Sequence, residues 1–134
     1  MIVGVPREIK VSEYRVGLTP ASVRELASAG HRVIVETHAG AGIGMDDHAY
    51  IEAGAEIAGD AAAVFAAAEM IVKVKEPQAD ERAMLRSGQV LFTYLHLAAD
   101  AGLTRDMLAT GCTAIAYETV TGPDHTLPLL APMS

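Results

Sequence analysis

Cysteine is nearly missing from this chain: Cys112 stands alone among 134 residues. A single thiol excludes a disulfide framework or a thiolate metal cluster within the chain. Placed after Gly111 at the head of an apolar run, it reads as a small buried hydrophobe. Basic charge is also scarce. Ten Lys and Arg stand against 17 Asp and Glu, for a formal net charge of −7. Nucleic acid and anionic membrane surfaces recruit a basic face, so neither fits as a partner. No hydrophobic run approaches a bilayer span, and the opening MIVGVPREIK enters a strand at once. That leaves no room for a signal or transit peptide, and the expected location is cytoplasmic. There is no internal repeat, no linker and no P-loop. Gly40-Ala41-Gly42-Ile43-Gly44 fails the dinucleotide fingerprint by one residue, because Met45 stands where the third glycine is required. It reads as a turn-rich loop instead.

What is present is a regular alternation of apolar runs and helical stretches. A chain of this length suits one domain that buries roughly two thirds of its unfolded surface. Hydrophobic residues make up 51% and charged residues 20%, which are globular values. Ile2–Val5 is a strand, and residues 6–18 are a polar connection carrying Arg7, Lys10 and Arg15. Thr19 caps a helix with Pro20 at its first position, Val23, Leu26 and Ala27 on its apolar stripe and Gly30 at its end. Arg32–Glu36 is the second strand, 38–44 a glycine-rich loop, and Asp46 caps a helix through Ala53. Asp60 caps an alanine-rich helix through Ala68. The third strand is MIVKV (70–74), followed by a short helix over 80–86 that stops at Gly88. QVLFTYL (89–95) is the fourth strand, with a helix over about 103–110 stopped by Gly111. TAIAY (113–117) is the fifth strand. The order predicts a Rossmann-like α/β fold, doubly wound around a mainly parallel sheet with helices on both faces. Pro132-Met133-Ser134 looks like a helix start, with Ser134 as N-cap. The domain is therefore expected to be incomplete.

Three of the apolar runs end on a chemically capable side chain: the third on Lys75, the fourth on His96, the fifth on Glu118. In an open parallel sheet, ligands bind beyond the carboxyl ends of the strands, so these three groups converge on one edge. Singly, each has an ordinary reading: a solvated lysine, a satisfied histidine among leucines, a capping glutamate. Together they outline an active site. Arginine offers a planar fork for a carboxylate and lysine a compact charge, so Arg15 and Lys75 suit a small 2-oxo or 2-amino acid. Histidine can give and take a proton near neutral pH, which fits His96 to the reacting carbonyl or amine. A six-atom ligand has a binding ceiling of about 9 kcal/mol, and desolvating two cations lowers that, so millimolar affinity is the most expected of this chain. His31, His38, His48 and His125 lack a metal-ligand spacing and read as surface. Tyr14, Tyr94 and Tyr117 read as packing around the pocket.

These residues, in the stretches GVPREIK…EYRVGLTPASV, HAGAGIG, KVKEP, GQVLFTYLHLAAD, AIAYETV and LPLLAPMS, resemble the N-terminal substrate domain of the alanine dehydrogenase/NAD(P) transhydrogenase family. The histidine block and KVKEP resemble the alanine dehydrogenase branch. The resemblance implies reversible NAD-dependent oxidative deamination of L-alanine to pyruvate and ammonia, by a protein that is typically a homohexamer. Arg15 and Lys75 would hold the substrate carboxylate and oxygen, and His96 would be the general acid/base. Met133 and Ser134 would face the cofactor, Ser134 touching NAD. Glu118 falls where some members bind Mg2+. The family's NAD domain would follow residue 134, and a segment from the far end would complete the first domain. On that expectation residues 1–134 alone are an inactive half of a cleft. Two other readings are a stand-alone binding or assembly module and the N-terminal domain of a transhydrogenase alpha subunit.

Overall fold

The computed structural model describes residues 1–95 and 101–117. Six strands form one open, wholly parallel sheet: β1 Ile2–Val5, β2 Arg32–Glu36, β3 Glu56–Ala58, β4 Met70–Val72, β5 Val90–Thr93 and β6 Thr113–Ala116. Their order is β3-β2-β1-β4-β5-β6, the doubly wound arrangement that the alternation predicts. The helices are α1 Pro20–Ser28, α2 Asp47–Ala53, α3 Ala61–Ala67, α4 Ala79–Arg82 and α5 Ala101–Thr110.

Strand periodicity sorts the core into two layers. Val33 and Val35 pack with Val5, Val23 and Tyr50 under α1 and α2. Ile34, between them, points the other way and joins Phe65, Ile71, Leu91 and Leu103 under α3 and α5. Side chains alternate across a strand, so one β-branched run feeds both faces. Each fully buried Val, Leu or Phe contributes about 1.5–3 kcal/mol. Gly4 permits the close approach of α3: a Cβ there would stand 2.6 Å from Ala68 Cβ.

The predicted caps are in place. Thr19 accepts from Ser22 N, Asp46 from Ala49 N and Asp60 from Ala63 N, at 3.3, 3.0 and 2.9 Å. Three corrections apply to the predicted elements. β3 was not foreseen, because a three-residue edge strand between Gly54 and Gly59 is too short to show a period. The short helix begins at Ala79, where Glu81 reaches back to Gln78 N at 2.9 Å, and it ends at Arg82. The third strand ends at Val72 rather than Val74, for a reason that belongs to the site below.

The winding direction reverses between β1 and β4, so a crevice opens beyond their carboxyl ends. Elsewhere, beside α1, an apolar groove of about 390 Å³ is lined by Leu18, Leu26, Met70, Val72, Phe92 and Tyr117.

Candidate active site

The connection from β1 to α1 crosses the carboxyl edge of the sheet and roofs the crevice. Two glycines let it seat. A Cβ on Gly17 would stand 2.4 Å from Val72 O, and one on Gly42 would stand 2.2 Å from Tyr14 O. The glycine-rich loop therefore presses its backbone against the connection that carries Arg15, and Tyr14 fills the space a ligand would need at Gly42. Between them lies a cavity of about 400 Å³ lined by Glu8, Lys10, Glu13, Tyr14, Arg15 and His38.

The floor of the crevice is an ionic knot. Lys73 Nζ lies 3.2 Å from Glu8 Oε2 and 3.0 Å from Glu81 Oε2, and each of the three side chains is at most 2% exposed. The Glu81 contact is ionic without hydrogen-bond alignment. Glu8 Oε2 also accepts from Val74 N at 3.2 Å, and Oε1 from Lys75 N at 3.0 Å. Burial pushes the Glu8 carboxyl up, against the opposing pull of the Lys73 charge and the two backbone N–H groups. Tyr117 O–H donates to Lys73 O at 2.7 Å, and burial raises that phenol as well.

The rim is different. Arg15 Nε and Nη2 grip Glu13 Oε2 and Oε1 at 2.9 and 2.7 Å, a two-point fork on a carboxylate. The hydrogen bond from Arg15 holds the Glu13 carboxyl below its ordinary range, and the Lys75 charge adds to the same effect. The Arg15 fork is thus occupied by a carboxylate from its own loop. The Lys75 ammonium stands 5.8 Å over the Tyr94 ring and, among the described residues, meets no carboxylate at ion-pair distance. Thr93 Oγ1 donates to Lys75 O at 2.9 Å, and Lys10 pairs with Glu76 across the mouth.

Of the sequence-predicted site residues, two are described: Arg15 grips Glu13, and Lys75 stands over the Tyr94 ring. His96, Glu118, Met133 and Ser134 lie outside the described residues, as does His125. His38 and His48 are exposed, as expected, and His31 is half-buried. Among the described residues no three His, Cys, Asp or Glu side chains form a metal site. Nor is any helix there long and apolar enough to cross a membrane. Sequence reading missed Glu8, Glu13, Lys73 and Glu81. One signal was available: a lysine inside the apolar run MIVKV must find a carboxylate if it is buried.

Comparison with known proteins supplies the context. The family model described as "Alanine dehydrogenase/PNT, N-terminal domain" matches residues 4–134. Over all 134 residues the chain is 56% identical to the alanine dehydrogenase of Halomonas elongata and 57% identical to that of Bacillus subtilis. It covers 36% and 35% of those proteins, about a third of their length. A solved L-alanine dehydrogenase superposes with a TM-score of 0.96 at 53% identity, over 99% of this chain and 37% of that one. A transhydrogenase from Sinorhizobium meliloti superposes at 0.82 with 35% identity, over 88% of this chain and 35% of that one. The chain belongs to the alanine dehydrogenase/PNT N-terminal domain family.

Proposed function

We propose that this chain is the substrate-holding part of an NAD-dependent alanine dehydrogenase, with Arg15 and Lys75 as the carboxylate and oxygen clamp. One observation carries the reading: at the switch-point crevice the Arg15 fork already grips a carboxylate, that of Glu13, while the Lys75 ammonium meets no carboxylate at ion-pair distance among the described residues. An incoming L-alanine or pyruvate carboxylate takes the Arg15 fork by displacing Glu13. Lys75 then holds the oxygen on the reacting carbon, where its compact charge stabilises the carbonyl or the carbinolamine alkoxide.

His96 follows Leu95 directly in the chain. In this reading it takes a proton from the attacking water and returns it as ammonia leaves. The balance is L-alanine, NAD+ and water to pyruvate, ammonium, NADH and a proton. NAD, when bound, supplies the hydride acceptor. Among the described residues, the glycine loop does not fit its pyrophosphate, because Tyr14 O stands where a phosphate would approach Gly42. We therefore assign NAD to a following domain, with Met133 and Ser134 at the edge facing it. The apolar groove beside α1 offers a seat to a segment returning from that part of the protein. A cytoplasmic homohexamer and an inactive isolated 1–134 fragment are parts of the same proposal.

The test is NAD reduction by the intact gene product given L-alanine, beside the His96→Ala variant. Turnover in the first and its loss from a folded second is the expected result. Retained turnover in His96→Ala removes that residue's role. Likeness to a solved transhydrogenase favours one competing outcome, hydride exchange between NAD and NADP without alanine turnover.

A further inference from the structure

We propose that Glu8 is a positioning residue for Lys75: its buried carboxylate caps the bend that follows β4 at the switch point and fixes the backbone from which the Lys75 ammonium projects. The geometry is independent of the function proposed above, and its catalytic consequence rests on that reading.

The argument begins with backbone groups that need partners. The β1–β4 ladder pairs Val3 with Met70 and Gly4 with Ile71. Beyond β4, residues 73–75 keep their bonds on the β5 side. Lys73 N donates to Phe92 O at 3.0 Å, Tyr94 N donates to Val74 O at 3.2 Å, and Thr93 Oγ1 reaches Lys75 O. At residues 74 and 75 the chain bends out of the sheet, and the two N–H groups that lose a strand partner there are costly if left without acceptors. Glu8 supplies those acceptors. Its two oxygens take the consecutive Val74 N and Lys75 N, so one carboxylate caps the bend in which the chain leaves the sheet.

A carboxylate suits this task where an amide does not. Both oxygens accept, so each can face an N–H, whereas a glutamine would set an NH2 against one of them. The negative charge is kept in place by Lys73, itself steadied by Glu81 from α4. The knot is committed to structure: its three side chains are at most 2% exposed, and only Glu8 borders the cavity. Its output is the fixed backbone of Lys75, whose half-buried side chain leaves the knot and stands 5.8 Å over the Tyr94 ring. A displacement of about 1 Å in a positioned group costs about a hundredfold in rate.

Glu8→Gln in the intact gene product tests the proposal with two readouts. The first is calorimetric binding of pyruvate, together with KM for L-alanine and for NAD. The second is hydrogen exchange at the Val74 and Lys75 amides, with Val33 and Val35 in β2 as internal reference. The expected result is pyruvate affinity weaker by about tenfold or more, KM for NAD unchanged, and faster exchange at residues 74 and 75 only. Wild-type affinity with wild-type exchange at those two amides overturns the proposal. If the unsubstituted protein neither binds pyruvate nor oxidises alanine, the proposed function falls, and the exchange comparison still decides the role of Glu8. Should Glu8→Gln fail to fold, the double variant Glu8→Gln/Lys73→Met removes the ammonium with the charge and carries the same two readouts.

Discussion

The floor and the rim of this crevice hold the same kinds of side chain for opposite ends. On the floor, Glu8, Lys73 and Glu81 are sealed from water and committed to one another. On the rim, Arg15 is about half exposed, its partner Glu13 comes from the same loop, and the Lys75 ammonium rests on an aromatic ring. Lys73 and Lys75 are two residues apart. What separates them is solvent and partners: a buried charge must be paired, whereas a charge at a mouth can be kept for a ligand. Burial and partners, not residue type, divide the paired ions of the floor from the half-exposed cations of the rim, which the proposed function assigns to a ligand.

The sharpest way to break that division is to substitute both lysines. Lys73→Met leaves two buried carboxylates facing each other and should cost about 3–5 kcal/mol in urea unfolding. Lys75→Met should stay within about 1 kcal/mol, because its charge is half-buried and unpaired among the described residues. Equal losses would dissolve the distinction between floor and rim.

The seating of the rim is tested next. Gly42→Ala sets a Cβ against Tyr14 O and should cost about 1–3 kcal/mol while disturbing the Arg15 loop. Gly30→Ala is the control. Its surroundings are open and its φ of +91° is the only penalty, about 1 kcal/mol. Thermal unfolding ranks the two, and the reverse ranking would show that the glycine loop does not press on the rim.

A smaller effect is expected of the occupant. Glu13→Gln frees the Arg15 fork from an ionised competitor, so KM for pyruvate should fall a few-fold, with stability changed by less than about 1 kcal/mol. A raised KM would mean that Glu13 helps the ligand rather than holding its place.

The smallest effect concerns pH. The Glu13 carboxyl lies below its ordinary 4.5, first because of the hydrogen bond from Arg15. A depressed carboxyl contributes stability that is present above pH 4.5 and is lost as pH falls through its folded value. The contribution is modest because Arg15 is about half exposed to screening solvent, although the Glu13 side chain is only 4% exposed. Acid titration of unfolding should therefore show a slightly weaker pH dependence below 4.5 in Glu13→Gln, and an unchanged dependence would remove the pair from the stability of the rim.

Much of the fold was legible because its signals are local. Thr19-Pro20, Asp46 and Asp60 announced three helices, and the runs at Ile2, Arg32, Met70, Val90 and Thr113 announced five strands. The edge strand β3 was not legible, since three residues carry no period. Arg15 and Lys75 were singled out by chemistry alone, Lys75 for its place at a strand end and Arg15 for its fork in the first connection. Glu8 was missed for a physical reason: its partners lie 65 to 67 residues away, and no local pattern encodes a pairing made by strand order. The early end of the third strand goes with the same pairing, because Glu8 takes the consecutive N–H groups of the bend at residues 74 and 75.

The central claim is that Arg15 and Lys75 hold one small carboxylate at the mouth of the crevice. Calorimetric titration of pyruvate into the intact gene product and its Lys75→Met variant tests it most directly. The expected result is binding weaker by about tenfold or more at an unchanged unfolding temperature. Equal affinity in the two proteins would contradict the claim.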